Sequence, residues 1–222
     1  MWSDEFNGDS LNRADWNVEI HEKGWVNNEL QEYVDSAENI QVKDVKLIIN
    51  PVKKVTDGDT GSTKEAASYT SGRVSTQNKQ TFIYGRFECR AKVPKGQGYL
   101  PAFWLMANDE NVYGQWPRCG EIDCMEVMGQ ETNKTYGTIH YGNPHSQSQG
   151  TYTITDGADF SDDFHIFTCD WEPGKITWYV DGVKYHEESD WHSTTVGQGT
   201  LSIANHETCN CSTGNFHICR FM

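Results

Sequence analysis

The chain is expected to fold as an all-β sandwich. Aromatic and β-branched residues alternate with polar ones in "GRFECRAKVP" (85–94), "KTYGTIHYG" (134–142), "HIFTCDWEPG" (165–174) and "KITWYVDGVKYH" (175–186). That period of two is the signature of half-buried strands. These runs are bounded by Gly, Pro, Asn and Asp, the residues that tight turns demand. No long stretch keeps the apolar period of a helix.

Taken in order along the chain, the signals are uneven. The opening "MWSDEFNGDS" is polar and turn-like, and "TDGDTGSTKEAAS" (56–68) is the most polar segment, expected to be a loop insertion. Two hairpins follow in the second half, where Pro173-Gly174 and Asp181-Gly182 supply the φ values of two-residue turns. After Trp191 the alternation is lost except in "TLSIAN" and "FHICRF". Residues 1–192 therefore read as one β domain. Residues 193–222 read as an atypical tail, truncated or altered, that is expected to be less ordered than the rest and to leave sheet edges open.

Composition narrows the function. With 32 Asp plus Glu against 18 Lys plus Arg the net charge is −14, and no basic cluster is available to neutralise phosphates. Nucleic acid and anionic membranes are poor partners for such a surface. No apolar run approaches the roughly 20 residues of a membrane span, and the N-terminus does not resemble a signal peptide, so Met1 is expected to open a mature or expressed form. Seven cysteines lack the paired spacings of a zinc site, and "CNC" (209–211) is too tight for one. Those before residue 200 are expected to be mostly free, buried strand thiols, and the odd count leaves at least one unpaired.

The segment "GEIDCMEVMG" (120–129) carries the chemistry. It sets Glu121, Asp123 and Glu126 among Ile, Cys, Met and Val, although crowded like charges repel and desolvate badly. On a strand Glu121 and Asp123 share a face, roughly 6.6 Å apart at Cα, while Glu126 has the wrong parity. One extra residue, a β-bulge around Cys124 and Met125, returns Glu126 to that face and leaves Ile122 and Val127 to pack inward. Three neighbouring carboxylates cannot all keep pKa values near the usual ~4, because each charge raises the next. Retaining glycoside hydrolysis needs such a separation: one ionised carboxylate as nucleophile and one protonated acid about 5 to 5.5 Å away. An acidic solvated strand face or a calcium site are the alternatives. Calcium usually draws its carboxylates from loops rather than from apolar-flanked strands.

Aromatics supply the rest of a sugar site. Trp104 and Trp116 shortly precede the carboxylates, with Tyr113, Tyr136 and Tyr141 close in sequence, and there are eight Trp in all. Sugar rings offer apolar C–H faces to flat aromatics and hydroxyls to polar side chains.

An ordered series then becomes visible: "DEFNG" (4–8), "NNELQEY" (27–33), "YTSGRVST" (69–76), "YGRFECRAKVP" (84–94), "GYLPAFWLM" (98–106), "WPRCGEIDCMEVMG" (116–129), "GTIHYG" (137–142) and "WYVDG" (178–182). It resembles glycoside hydrolase family 16, in its bacterial endo-β-1,3-glucanase (laminarinase) branch, over about residues 2–192. The resemblance implies a β-jelly roll of two curved antiparallel sheets with a concave cleft for a β-glucan chain, and a secreted, extracellular enzyme. It implies Glu121 as nucleophile, Glu126 as general acid/base and Asp123 as the assisting carboxylate. Arg73 and Asn28 match positions that bond sugars on the non-reducing side; Trp104, Trp116 and His140 match cleft residues. The extra residue before the second Glu separates this branch from the lichenases and points to β-1,3-glucan as the main substrate, leaving cleavage of mixed-linkage β-1,3-1,4-glucan open.

Two departures stand out. Family members usually end in two further apolar strands, often with an Asp that helps bind a structural calcium on the convex side, and the tail here matches neither. Leu100 stands where a Trp is common. No cofactor is needed for the chemistry, and oligomeric state leaves no trace in the sequence. Related branches cut agarose or carrageenan with the same bulged motif, and related non-catalytic modules bind β-1,3-glucan. Such modules lose the catalytic glutamates, which this chain keeps.

Overall fold

A computed structural model describes residues 1–54, 68–193, 201–202 and 216–220. Among them the regular elements are strands, apart from one four-residue helix. The described residues fall into two compact units, 1–75 and 76–220. The polar segment 56–68 lies almost wholly outside the described residues, as do 194–200, 203–215 and 221–222.

The first unit is built from short strands: β1 (Asn17–Val18), β2 (Gln31–Tyr33), β3 (Ile40–Val42), β4 (Leu47–Ile49), β5 (Val52–Lys54), β6 (Ser68–Ser71) and β7 (Val74–Ser75). β1 pairs antiparallel with β7, β2 runs parallel to β6, β6 runs antiparallel to β5, and β3 and β4 form a hairpin. Trp16, Tyr33 and Val74 are buried at its centre. The buried Asn39 side chain donates to the Asn50 carbonyl at 2.8 Å, which ties the start of the β3–β4 hairpin to its end.

The second unit is a sandwich of two antiparallel sheets. Its strands are β8 (Gly85–Ala91), β9 (Ala102–Ala107), β10 (Glu121–Glu126), β11 (Lys134–Tyr141), β12 (Ser146–Thr153), β13 (His165–Glu172), β14 (Lys175–Val180), β15 (Val183–Glu188), β16 (His192–Ser193), β17 (Leu201–Ser202) and β18 (Phe216–Arg220), with helix α1 (Glu110–Tyr113) between β9 and β10. One sheet runs β18–β9–β10–β11–β12 and the other β15–β14–β13–β8. The all-β expectation is borne out, and the alternation of β8 shows why. Phe87, Cys89 and Ala91 are buried while Arg86, Glu88 and Arg90 face out.

Both expected hairpins close on two residues, with Glu172 paired to Lys175 and Val180 to Val183. Asp181 and Gly182 both take positive φ, as a type I′ turn requires. The two tail pieces that keep alternation supply the described strands there: Leu201–Ser202 pairs with β16, and Phe216–Arg220 pairs along β9.

Between the sheets lie Leu105, Ile122, Ile139, Phe167, Ile176, Trp178 and Val180, each almost fully buried. Gly137 is required on β11, because a Cβ there would strike the Trp178 ring and the Tyr185 hydroxyl of the facing sheet. Cys119, Cys124 and Cys169 are free thiols, and these three and Cys89 are buried, although Cys119 sits in the turn before β10 rather than in a strand. Burial pushes the Cys119 thiol up to about 12. Cys209 and Cys211 lie outside the described residues.

Candidate active site

The site grows from the register of β10. Glu121 stands opposite His140 on β11 and Met106 on β9, and Asp123 stands opposite Thr138 and Trp104. Beyond Asp123 both ladders slip: Glu126 faces Tyr136 on β11, and Met125 faces Phe103 on β9. Three steps on β10 thus match two on β11, which is a bulge of one extra residue centred on Cys124. The sequence-based expectation is met in position and in effect. Ile122 and Val127 are buried, whereas Glu121 and Glu126 remain half-exposed on the face that also carries Asp123.

The neighbouring strands complete that face. On β11 the residues Tyr136, Thr138 and His140 point away from the inter-sheet core that Ile139 enters, and on β9 Trp104 is half-buried beside Asp123. Trp116, in the turn between α1 and β10, donates its indole N–H to Glu121 Oε2 at 2.5 Å. Its own backbone N–H is held by Glu110 at 3.2 Å. His140 Nε2 lies 3.2 Å from Asp123 Oδ2, and its other ring nitrogen lies 3.0 Å from His145 Nε2. From the core side the Trp178 indole donates to the Asp123 carbonyl at 2.8 Å. Trp104, Trp116 and His140 are therefore gathered with the three carboxyl groups, as the sequence suggested.

Charge crowding shows in the acidities. Burial first, then the charge of Asp123, push Glu121 up to about 8, against the opposing pull of His140 and the Trp116 N–H. Burial and then Glu126 raise Asp123, and burial raises Glu126 against the pull of His140. With Glu121 raised to about 8, the trio keeps at least one proton at neutral pH. Such a face can offer an ionised carboxylate and a carboxylic acid at once.

Arg73 and Asn28 belong to the first unit. Arg73 is buried, donates to Glu19 Oε2 at 2.6 Å, and lies 5.0 Å from the Trp25 ring centroid. Burial opposes ionisation of Glu19, but Arg73, Ser75 and His21 outweigh it and hold that carboxyl below its usual range. His21 stacks flat on Trp25, with ring centroids 3.5 Å apart. Asn28 is exposed, at a left-handed position next to Asn27 in the loop that also carries Trp25.

Sequence reasoning missed His145, Glu19, His21 and Trp25. The signal for His145 was its spacing in "HYGNPH", which a hairpin folds back onto His140. Among the described residues no group of three or more His, Cys, Asp and Glu is arranged to hold a metal ion.

The profile of glycosyl hydrolases family 16 matches residues 28–203. The chain belongs to that family. A glucan endo-1,3-beta-glucosidase of Cryptopygus antarcticus is 43% identical over 192 residues, covering 85% of this family 16 chain and 68% of that protein. Glucan endo-1,3-beta-glucosidase A1 of Niallia circulans is 39% identical over 209 residues, covering 87% of this chain but only 30% of its own length. The laminarinase catalytic domain of Thermotoga maritima superposes with a TM-score of 0.77 at 33% identity, covering 100% of this chain and 85% of that one. The family's jelly-roll sandwich is thus the fold of this chain.

Proposed function

We propose that the protein is an endo-acting retaining hydrolase of internal β-1,3-glucosidic bonds in laminarin-type β-glucans, and that it also accepts mixed-linkage β-1,3-1,4-glucan. The observation that carries the reading is the bulge at Cys124, which sets Glu126 on the face of Glu121 and Asp123. A solvated acidic strand has no need of that irregularity. The relatives described above, named for β-1,3-glucan hydrolysis, support the substrate class.

In this mechanism Glu121 attacks the anomeric carbon while Glu126 protonates the departing glycosidic oxygen. Glu126 then takes a proton from the water that cleaves the glycosyl-enzyme, with net retention. Asp123, the most deeply buried of the three, holds the shared proton. The Trp116 N–H stabilises the ionised form of Glu121. Trp104, Trp116 and His140 are the cleft contacts to the sugar, and Arg73 and Asn28 serve as further sugar-binding residues. A polysaccharide is too large to cross a membrane unaided, which supports action outside the cell.

The deciding experiment is a reducing-sugar assay on laminarin, lichenan, agarose and carrageenan, with early products followed by NMR. Laminarin cleaved internally to short oligosaccharides of initial β configuration is the expected result. Early α-anomer, or glucose as the sole early product, would overturn the mechanism. Preference for agarose or carrageenan would overturn the substrate, and binding without cleavage would make the chain a recognition module.

A further inference from the structure

The function just proposed gives roles to three carboxyl groups, Trp116 and His140, but none to His145. Yet His145 touches both of the groups that partner the carboxylates. Its Nε2 lies 3.0 Å from His140 Nδ1. The two imidazoles stack at a centroid distance of 5.2 Å and 25° between planes. On its other side His145 lies 5.0 Å from the Trp116 ring, which itself lies 5.9 Å from His140. His145 is exposed and stands in the turn joining β11 to β12, so one short connection braces both the donor to Glu121 and the partner of Asp123.

The hydrogen bonds constrain one another. A neutral imidazole has one N–H and one lone pair. If His140 is to donate from Nε2 to the Asp123 carboxylate, its Nδ1 must accept, and Nδ1 faces His145 Nε2. An N–H on His145 Nε2 therefore selects the Nε2–H tautomer of His140. Without that donor the Nδ1–H form competes, and it presents a lone pair to Asp123 Oδ2, two acceptors face to face whenever that oxygen carries no proton. We propose that His145 is a positioning residue: it donates to His140 Nδ1, fixes the tautomer that serves Asp123, and holds Trp116 over Glu121. This role rests on the hydrolase reading for its kinetic consequence, while its tautomer consequence does not.

The test compares His145→Leu with His145→Gln in the full chain. Leu removes the donor and the ring, whereas Gln keeps an N–H within reach of His140. His145→Leu is expected to lower kcat on laminarin about 10-fold, the effect of losing one positioning hydrogen bond, with KM changed less than about 2-fold. His145→Gln should recover kcat to within about 3-fold of the parent. In histidine-labelled protein, 15N NMR should show His140 Nδ1 unprotonated in the parent and in His145→Gln, and partly protonated in His145→Leu. Unchanged signals at His165 and His186 report that the fold is kept. His145→Ala substitutes if the Leu variant does not fold.

An unaltered His140 signature in His145→Leu overturns the proposal, as does equal kcat loss in the Leu and Gln variants. A rise in KM alone would make His145 a sugar contact instead and likewise overturns it. If the parent itself leaves laminarin intact, the hydrolase reading fails, and the NMR comparison still decides the tautomer claim.

Discussion

Trp178 donates its indole N–H across the sandwich to the main-chain carbonyl of Asp123, at 2.8 Å and out of contact with water. The bond lands immediately before the bulge, where the β10 ladders slip. A side chain from one sheet thereby pins the irregularity of the other. Trp178→Phe should cost more than the about 1 to 3 kcal/mol of stranding a buried carbonyl, because the smaller ring also leaves a cavity between the sheets. Catalysis should suffer more than the stability loss explains, because the bulge aims Glu126. Urea unfolding together with kcat on laminarin checks both; an active variant of parental stability would show that the bond is idle.

The two glutamates should separate by chemistry. Glu121→Ala is expected to abolish hydrolysis while still using an α-glycosyl fluoride for synthesis. Glu126→Ala should lose about 100- to 10,000-fold on laminarin yet keep activity on substrates whose leaving group needs no proton. Asp123→Asn should slow turnover less than either. Near-parental rates in Glu121→Ala would remove it as nucleophile.

Stability should fall as the site ionises. Glu121 is raised from 4.5 to about 8 in the folded protein. Folding thus favours its protonated form, and that contribution is complete below about pH 4.5 and lost as pH rises toward 8. Glu121→Gln removes the charge and keeps an acceptor for Trp116. Its Tm relative to the parent should therefore rise between pH 5 and pH 8. A constant Tm difference across that range would contradict the raised acidity constant.

Arg73 behaves in the opposite sense through Glu19. Arg73 is buried and Glu19 half-buried, so Arg73→Ala would leave a poorly solvated carboxylate, costing up to about 3 kcal/mol. Because Glu19 is lowered in the folded protein, its contribution is present above pH 4.5 and lost as pH falls through the folded value. The destabilisation by Arg73→Ala should accordingly shrink in acid, measured by urea titration at pH 7 and pH 4. An effect of equal size at both pH values would show that packing on Trp25, not charge, is what Arg73 supplies.

The sequence was most legible where a period had room to repeat. β8, β11, β13 and β14 run six to eight residues, long enough for alternation to show, and the two-residue turns announced the hairpins between β13, β14 and β15. The bulge was legible for a different reason: three carboxylates at the spacing of Glu121, Asp123 and Glu126 make no sense on an unbroken strand. The strands of the first unit run two to four residues, too short to display any period. His145 and Glu19 escaped notice because their partners, His140 and Arg73, are met only after the chain has turned. No local pattern encodes a contact between residues 19 and 73.

The extra residue at Cys124 works like a parity bit. Every residue that follows it on β10 points where its predecessor would have pointed, so the strand's chemistry depends on a count rather than on composition. Straightening the bulge with Cys124 still in place would exchange the two sides of the strand beyond Asp123, turning Glu126 inward and Met125 outward, whereas deleting Cys124 would restore unbroken alternation and leave Glu126 on the face of Asp123. Chimeras between chains with and without the insertion keep the glutamates in phase only if the extra residue and the bulge travel together.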